Sequence, residues 1–221
     1  MNVHAVAFEL PRAPNVNEEL GDLRFRALVT NQEWATLPPA VRRRFSKRLA
    51  AGNTVVYAGE VLETRMSRAG WWLAQAARLV GGPLPTTRNA HVPSVVTVTE
   101  DRATGGQIWT RIYARRSGFP QVIHSSKRFS GPTGLEEYVG YGIGMTLTVD
   151  VRENALIFRS KDYFLQLFGR RLFWPQWLCP GAMHITHADL PDGKFSFTLQ
   201  VIHPRFGLLI RQMAIFREFA P

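Results

Sequence analysis

The pattern of hydrophobic and polar positions divides the chain near Val92. Before that point apolar residues recur at helical spacing over residues 22–52, and the prolines in residues 37–39 suit the first turn of a second helix. Residues 71–80 form an apolar run closed by two glycines and a proline, which predicts one more short helix. Residues 1–21 are polar and proline-containing and predict an extended lead-in to a single domain over residues 22–221.

From Val92 onward the chain alternates apolar and polar residues with period two, the signature of β-strands. Turn-forming residues separate the runs, at residues 103–106, 116–118, 130–134, 152–154 and 190–193. A further strand over residues 54–62 precedes the short helix. The pattern predicts a mainly β fold: an antiparallel, strongly curved sheet or barrel of about nine or ten strands, with N-terminal helices and one short helix packed against it.

The glycines in GYGIGM, residues 140–145, raise the alternative of a phosphate-binding loop. A dinucleotide fingerprint places G-x-G-x-x-G between a strand and a helix, whereas Met145 replaces the third glycine and strand-forming residues follow it. We therefore predict one long, coiled strand over residues 135–149, in which the alternating glycines leave one face without side chains and allow a bend.

Composition and charge narrow the function classes. The 221 residues carry a formal net charge of +10, but the arginines are scattered, and the one dense cluster, residues 41–48, ends a predicted helix. A basic module for nucleic acid or a membrane surface is therefore the least favoured hypothesis, and we expect no specific nucleic-acid partner. No window has the length of a transmembrane span and no signal peptide is evident, which predicts a cytoplasmic location.

Metal and thiol chemistry find little support in the sequence. The single cysteine, Cys179, excludes an internal disulfide and a cysteine-based zinc site, and its apolar context favours an inert thiol. His184 and His187 are three positions apart and so face opposite sides of a strand. We predict no metal and no cofactor.

Glu137 is the most informative polar residue, because it falls on the apolar side of its predicted strand. A buried carboxylate costs several kcal/mol unless it is paired. The turn near residues 131–132 places Lys127 roughly opposite Glu137, and Arg111 shares an inward face with Trp109 and Tyr113. The predicted partner is Arg111 or Lys127, in a catalytic or ligand-binding site or in a purely structural ion pair.

Further candidates come from alternation and from one unusual segment. His203 falls on the inner face of a strand and has a pKa suited to acid–base work, although a structural histidine is the plainer interpretation. Tyr141 shares the face of Glu137 in the predicted long strand. Residues 169–181 contain Arg171, Trp174 and Trp177 and predict either an apolar plug or a lid over a hydrophobic pocket.

Several short motifs resemble the domain of unknown function 4166 family, which is found in bacteria alone or attached to dehydrogenase-like domains. They are the LRF of residues 23–25, the LPP of residues 37–39, VGGPLP from residue 80, W-x-R from residue 109, L-x-E from residue 135, G-x-R-L from residue 169, P-x-W-L from residue 175, PG at 180 and HP-x-x-G from residue 203. The resemblance covers residues 22–219. It implies that Arg111, Glu137 and His203 belong to a recurring pattern and that a dehydrogenase-like partner is functionally linked, but it transfers no catalytic residues.

The first hypothesis is therefore a β-barrel that binds a small, largely hydrophobic molecule, with or without an anionic group, in an internal pocket. The alternative is a metal-free, cofactor-independent enzyme of the cyclase, isomerase or dehydratase type that uses a buried carboxylate as acid or base. The catalytic candidates are Glu137, Arg111 and His203. The ligand-binding candidates are Trp109, Tyr113, Lys127, Tyr141, Arg171, Trp174 and Trp177.

Overall fold

Eleven strands and three short α-helices form the fold in a computed structural model, which describes residues 21–49 and 53–219. The strands are β1 (Thr54–Met66), β2 (Val92–Asp101), β3 (Gly106–Tyr113), β4 (Gln121–Arg128), β5 (Glu136–Gly140), β6 (Ile143–Arg152), β7 (Ala155–Leu167), β8 (Arg170–Phe173), β9 (Ala182–Asp189), β10 (Lys194–His203) and β11 (Gly207–Phe219). The helices are α1 (Asn31–Thr36), α2 (Pro39–Phe45) and α3 (Arg68–Ala77), and 3-10 turns occupy Arg26–Leu28, Arg78–Val80 and Gln176–Leu178.

Ten of the strands close into an antiparallel barrel. Neighbours follow the order β1-β2-β3-β4-β5-β6-β7-β9-β10-β11, and β11 pairs back with β1. β8 lies outside this ring, because it pairs with the C-terminal part of β7 while β9 pairs with the N-terminal part. The predicted mainly β, antiparallel barrel is confirmed, with one strand more than the nine or ten expected from the turn signals.

Alternation determines which side chains fill the barrel. In β10 the inward residues Phe195, Phe197, Leu199 and Val201 are buried, whereas the residues between them are half-buried. β2 and β9 show the same alternation over most of their length. A slip of one residue would turn each apolar row toward water, so burial of these rows specifies the register of the barrel.

The N-terminal helices plug one end of the barrel. The rings of Phe25, Phe45 and Phe158 contact one another, with centroids 5.2 to 5.9 Å apart. The plug is locally well specified, because Thr30 and Glu33 form a capping box at the start of α1 and Pro39 occupies the first turn of α2.

A lid, residues 67–85, crosses the opposite end of the barrel. Ser67 Oγ accepts a hydrogen bond from the Gly70 backbone at 3.0 Å, and the Ser67 N–H donates to the Leu209 carbonyl of β11 at 2.9 Å. Gly70 packs so closely that a Cβ there would lie 2.0 Å from the same carbonyl. At the other end of α3, a Cβ on Gly81 would lie 2.7 Å from the Val139 carbonyl of β5. Because β11 and β5 are five strands apart in the ring of ten, the lid spans the mouth from wall to wall.

The glycine-rich stretch is a hairpin, and the prediction of one continuous strand over residues 135–149 was wrong. β5 ends at Gly140, β6 begins at Ile143, and the chain reverses through Tyr141 and Gly142, whose φ angles are 49° and 77°. Positive φ is accessible to glycine at little cost, so the glycines allow a two-residue turn as readily as a bend. The stretch lies between two strands, which also excludes the context of a dinucleotide-binding loop.

The bounds or types of the elements differ from the predicted ones in three places. The helix expected over residues 71–80 begins at Arg68 and continues after Ala77 as a 3-10 turn. The pattern that starts at Asp22 gives only the 3-10 turn Arg26–Leu28 before α1. The proline-rich segment 169–181 begins with the strand β8 instead of running wholly as irregular connection, because its prolines come after that strand.

Two predictions lie wholly or partly outside the described residues: the lead-in, of which residues 1–20 are not described, and the helix end at Gly52. Among the helices that the structure describes, none combines the length and the apolar character that crossing a bilayer would need.

Candidate functional site

An apolar cavity of about 270 Å³ lies inside the barrel beneath the lid. Leu73, Ala77 and Val80 of the lid, with residues 83–85, form its roof. Inward apolar side chains of the strands, together with Trp174 of the β8–β9 connection, form most of its wall. The polar side chains that reach it are Arg111, Tyr113, Ser125, Glu137, Tyr163 and Gln212.

Three charged side chains meet below the cavity on neighbouring strands. Arg111 comes from β3, Lys127 from β4 and Glu137 from β5, with exposed fractions of 8%, 3% and 2%. Lys127 and Glu137 are direct partners in the antiparallel register, as the turn between their strands predicts. We call Arg111, Ser125, Lys127 and Glu137 the polar cluster.

Glu137 is bound by both predicted cations. Lys127 Nζ donates to Glu137 Oε2 at 3.0 Å, and Arg111 Nη2 donates to Glu137 Oε1 at 3.3 Å. The same Arg111 Nη2 donates to Ser125 Oγ at 2.7 Å. The Lys127 ammonium also lies 5.0 Å from the centre of the Trp109 ring, a favourable position for a desolvated cation.

The two cations keep Glu137 ionised. Burial alone raises the pKa of this carboxyl, but the charges of Lys127 and Arg111 and the hydrogen bonds around it lower that pKa to about 2. Burial lowers the pKa of Lys127, and the adjacent Glu137 carboxylate partly reverses this effect. At neutral pH the cluster therefore holds one permanent anion, one permanent cation and an ammonium whose charge depends on its surroundings.

Unused hydrogen-bonding capacity remains around the cavity. Arg111 Nε is buried and has no partner among the described residues, and the same holds for Gln212 Oε1. Gln212 Nε2 donates to Thr64 Oγ1 at 3.3 Å, so its amide is oriented by the barrel wall. Buried polar groups without partners are rare in folded proteins and cost about 1–3 kcal/mol each. A ligand that offers an acceptor to Arg111 would offset that cost.

A family model described as Domain of unknown function (DUF4166) matches residues 37–216, most of the chain. The chain belongs to this family. The match confirms the resemblance inferred from short motifs, although it begins after the LRF motif of residues 23–25. No curated protein and no solved structure shows a significant match to the chain.

The DUF4166 barrel brings part of the predicted site together. Arg111, Tyr113, Glu137 and Trp174 reach the cavity, and the Trp174 ring stacks on Tyr163 with centroids 6.2 Å apart. Trp109 and Lys127 are buried behind the cavity, where the ammonium of Lys127 lies against the Trp109 ring, and neither side chain lines the empty space.

Four predicted site residues lie away from the cavity of the DUF4166 domain. His203 ends β10, where its Nδ1 accepts from the Arg205 backbone at 3.1 Å and its ring packs on Phe206. Tyr141 and Trp177 are exposed by 80% and 82% at the lid end of the barrel. Arg171 binds Glu136, with Nε 2.6 Å from Oε1 and Nη2 donating to Oε2 at 2.9 Å.

Sequence reasoning missed several residues of the site. Gln212 stands on an inward, otherwise apolar strand face, so its alternation was a usable signal, whereas Ser125 shares its inward face with the polar residues Gln121 and Lys127. Glu136 follows the opposite face from Glu137 in an alternating strand, yet it is fully buried, and Ser130, Tyr138 and Arg171 hydrogen-bond its carboxylate. The pairing of Glu136 with Arg171 joins residues 35 positions apart, so the sequence around Glu136 does not indicate it.

Metal-binding groups do not cluster in the part of the DUF4166 chain that the structure describes: no set of three or more His, Cys, Asp or Glu side chains is close enough to hold an ion. His187 is buried and His184 half-buried, on opposite faces of β9 as predicted. Burial raises the pKa of the Cys179 thiol, which makes this cysteine a weak nucleophile at neutral pH.

Proposed function

We propose that this DUF4166 domain binds a small, largely hydrophobic molecule with one anionic group inside its barrel. The observation that supports it is the joining of an apolar cavity to a buried guanidinium whose Nε has no partner in the described part of the chain. Ligand sites in proteins combine these features: a mostly apolar lining and a few oriented polar groups. The apolar part of the ligand would lie beneath the lid, and its anionic group beside Arg111.

Charge favours an anionic group over a neutral one. With Lys127 protonated, the cluster carries two positive charges and one negative charge in a buried setting. One further carboxylate would balance these charges and complete the hydrogen bonding of Arg111. It would also favour the protonated form of Lys127 and so oppose the lowering of the Lys127 pKa by burial.

The cavity volume limits the ligand. At about 30 Å³ for each water-sized group, 270 Å³ accommodates roughly nine such groups. If the carboxylate counts as one such group, a monocarboxylate of about eight to ten carbons in total fits this volume by the same measure. Longer chains would have to displace the lid.

The acid–base enzyme hypothesis has less support. A general base works best with a pKa near the working pH, and Glu137 has a pKa of about 2. His203, the second candidate, hydrogen-bonds its own turn outside the cavity. Ligand binding therefore explains the apolar cavity and the ionised Glu137 better than acid–base catalysis does.

Isothermal titration with decanoate and decanol tests the proposal. We expect decanoate to bind and decanol to bind at least tenfold more weakly, because only the carboxylate can pair with Arg111. Arg111→Met should remove the preference for decanoate while leaving the Lys127–Glu137 pair intact. Equal affinity for the two compounds in the wild type would contradict an anionic group at Arg111.

A cavity-filling variant locates the bound molecule. Ala77→Phe places a ring in the cavity beneath the lid and should abolish decanoate binding. Ala27→Phe adds the same ring at an exposed position of the plugged end and should leave decanoate binding unchanged. If Ala77→Phe remains folded and binds decanoate like the wild type, the ligand lies elsewhere and the proposed site is wrong.

A further inference from the structure

Exposed hydrophobic side chains are concentrated at the lid end of the barrel. Of sixteen large hydrophobic residues exposed in the described chain, all but Leu23 and Phe219 lie in the strand connections of this end or at the strand residues next to them. Every connection carries at least one aromatic side chain. The most exposed of each are Trp72 (68%), Phe119 (91%), Tyr141 (80%), Phe168 (95%) and Phe206 (65%).

The same connections are free of acidic residues. They comprise residues 67–91, 114–120, 141–142, 168–181 and 204–206, all of which the structure describes. Together they contain eight arginines and no Asp, Glu or Lys. Six of these arginines are exposed and form no salt bridge with the described residues: Arg68, Arg78, Arg88, Arg116, Arg170 and Arg205.

The lid itself is apolar on both faces. Leu73 and Ala77 face the cavity, while Trp71, Trp72 and Leu79 are exposed on the outside. Large apolar side chains that lie together on an exposed surface are normally covered by a partner. The outer face of α3 therefore lacks the cover that its composition calls for.

We propose that the lid end of the barrel docks on the surface of an anionic lipid bilayer. Aromatic side chains concentrate at the headgroup level of membranes, where an apolar ring and a polar surrounding are both available. Arginines near that surface gain from the negative potential of anionic lipids. The lid end supplies both on one surface, with no carboxylate in its connections to repel the lipid.

The charge pattern distinguishes this partner from two others. A second copy docking through the same end would oppose six exposed arginines with six more and no acidic partner, an arrangement that costs free energy. Single-stranded nucleic acid would use the aromatic rings for stacking, but exposed Leu79, Leu172 and Leu178 share the surface and cannot stack. Aliphatic and aromatic side chains together match the acyl boundary of a bilayer.

Vesicle flotation with the full chain and no added ligand tests the docking independently of the cavity. We expect binding to phosphatidylcholine vesicles that contain phosphatidylglycerol, little binding to phosphatidylcholine alone, and weakening as salt screens the charges. Arg68→Gln, Arg78→Gln and Arg205→Gln combined should lower partitioning about a hundredfold at low salt. The matched control combines Arg26→Gln, Arg43→Gln and Arg48→Gln at the plugged end, and its net charge equals that of the lid-end triple variant. Because these three positions lie far from the docked membrane, the control should lower partitioning no more than about threefold.

Aromatic variants separate docking from general electrostatic attraction. Trp72→Ser combined with Trp177→Ser should weaken flotation at least tenfold, whereas Phe219→Ser, at the opposite end and 62% exposed, should leave it unchanged.

Equal loss of flotation in both triple arginine variants, or no effect of the tryptophan changes, would overturn docking through the lid end. Failure to bind vesicles of either composition would also overturn it. If the wild-type chain floats with anionic vesicles but does not bind decanoate, the proposed ligand site in the cavity is wrong and docking of the lid end on the bilayer still stands.

Discussion

Replacing Glu137 is the most direct test of the polar cluster. Glu137→Ala removes the anion that binds both Lys127 Nζ and Arg111 Nη2 and leaves two cations in a buried site. Breaking a buried ion pair by removing one partner costs about 3–5 kcal/mol. Glu137→Gln keeps the shape and one acceptor, so we expect it to cost less, about 2–3 kcal/mol.

The pH dependence of stability gives an independent measure of the same interaction. The pKa of Glu137 is about 2 in the folded chain, below the ordinary value of 4.5 that applies when the chain unfolds. Its contribution is therefore fully present above about pH 4.5 and is lost as pH falls toward 2. By linkage it amounts to about 3 kcal/mol at pH 7 and about 1 kcal/mol at pH 3.

Urea unfolding of the wild type and of Glu137→Gln at pH 7 and pH 3 measures this change. The difference in unfolding free energy between the two proteins should shrink by about 2 kcal/mol at the lower pH, because the variant has no carboxyl to titrate. Lys127→Met is the matched control, since it leaves the oppositely charged Arg111 and Glu137 together and should cost less than Glu137→Ala. A pH-independent difference, or wild-type stability in Glu137→Ala, would refute the ion-pair reasoning.

Three further predictions concern the core, the lid and the cavity wall. Burial lowers the pKa of His187 well below 6.5 and its Nδ1 has no partner among the described residues, so His187→Phe should match or exceed wild-type stability, with an advantage in urea unfolding that grows as pH falls below about 6.5. Gly70→Ala should lower the melting temperature, because its Cβ would meet the Leu209 carbonyl at 2.0 Å and must force α3 off β11. Trp174→Phe should abolish most of the change in tryptophan fluorescence on decanoate binding, since Trp174 is the tryptophan that reaches the cavity; an unchanged response would place the ligand elsewhere.

Local patterns were sufficient to predict the fold class and the pairing at the polar cluster. Turn-forming residues 130–134 lie between β4, which ends at Arg128, and β5, which begins at Glu136, and a hairpin centred on them places Lys127 opposite Glu137, as the register has it. Burial of Glu137 followed from the same alternation, and its partners followed from the cost of an unpaired buried charge. The first inference uses residues close in sequence, and the second uses the single rule that a buried charge needs a partner.

The cavity required information that no local pattern contains. Its outline depends on how β11 closes against β1 and on where the lid crosses the mouth, and both join residues far apart in the chain. The GYGIGM turn was misassigned for a different reason, because glycine is compatible with a bent strand and with a positive-φ turn alike. His203 was placed on the inner face by alternation, but a register shift after Val201 breaks that alternation at the strand end.

The two attachments of the lid differ in kind, which bears on how a ligand would enter. At the β11 wall, Ser67 forms hydrogen bonds to the barrel and to the start of α3, and Gly70 packs against a carbonyl. At the β5 wall, Gly81 and Gly140 bring two backbones close together, and the described backbone hydrogen bonds join Gly82 to Ala77 within the lid and not to β5. Only the contact of Gly81 with β5 rests on packing, because Gln121 Nε2 of the neighbouring β4 donates to the Leu84 carbonyl of the lid at 2.8 Å. Ligand entry at the Gly81 side must therefore break the hydrogen bond from Gln121 to Leu84. Because Trp72 and Leu79 lie on the outside of this same lid, we expect docking at this end and access to Arg111 beneath it to be properties of one surface.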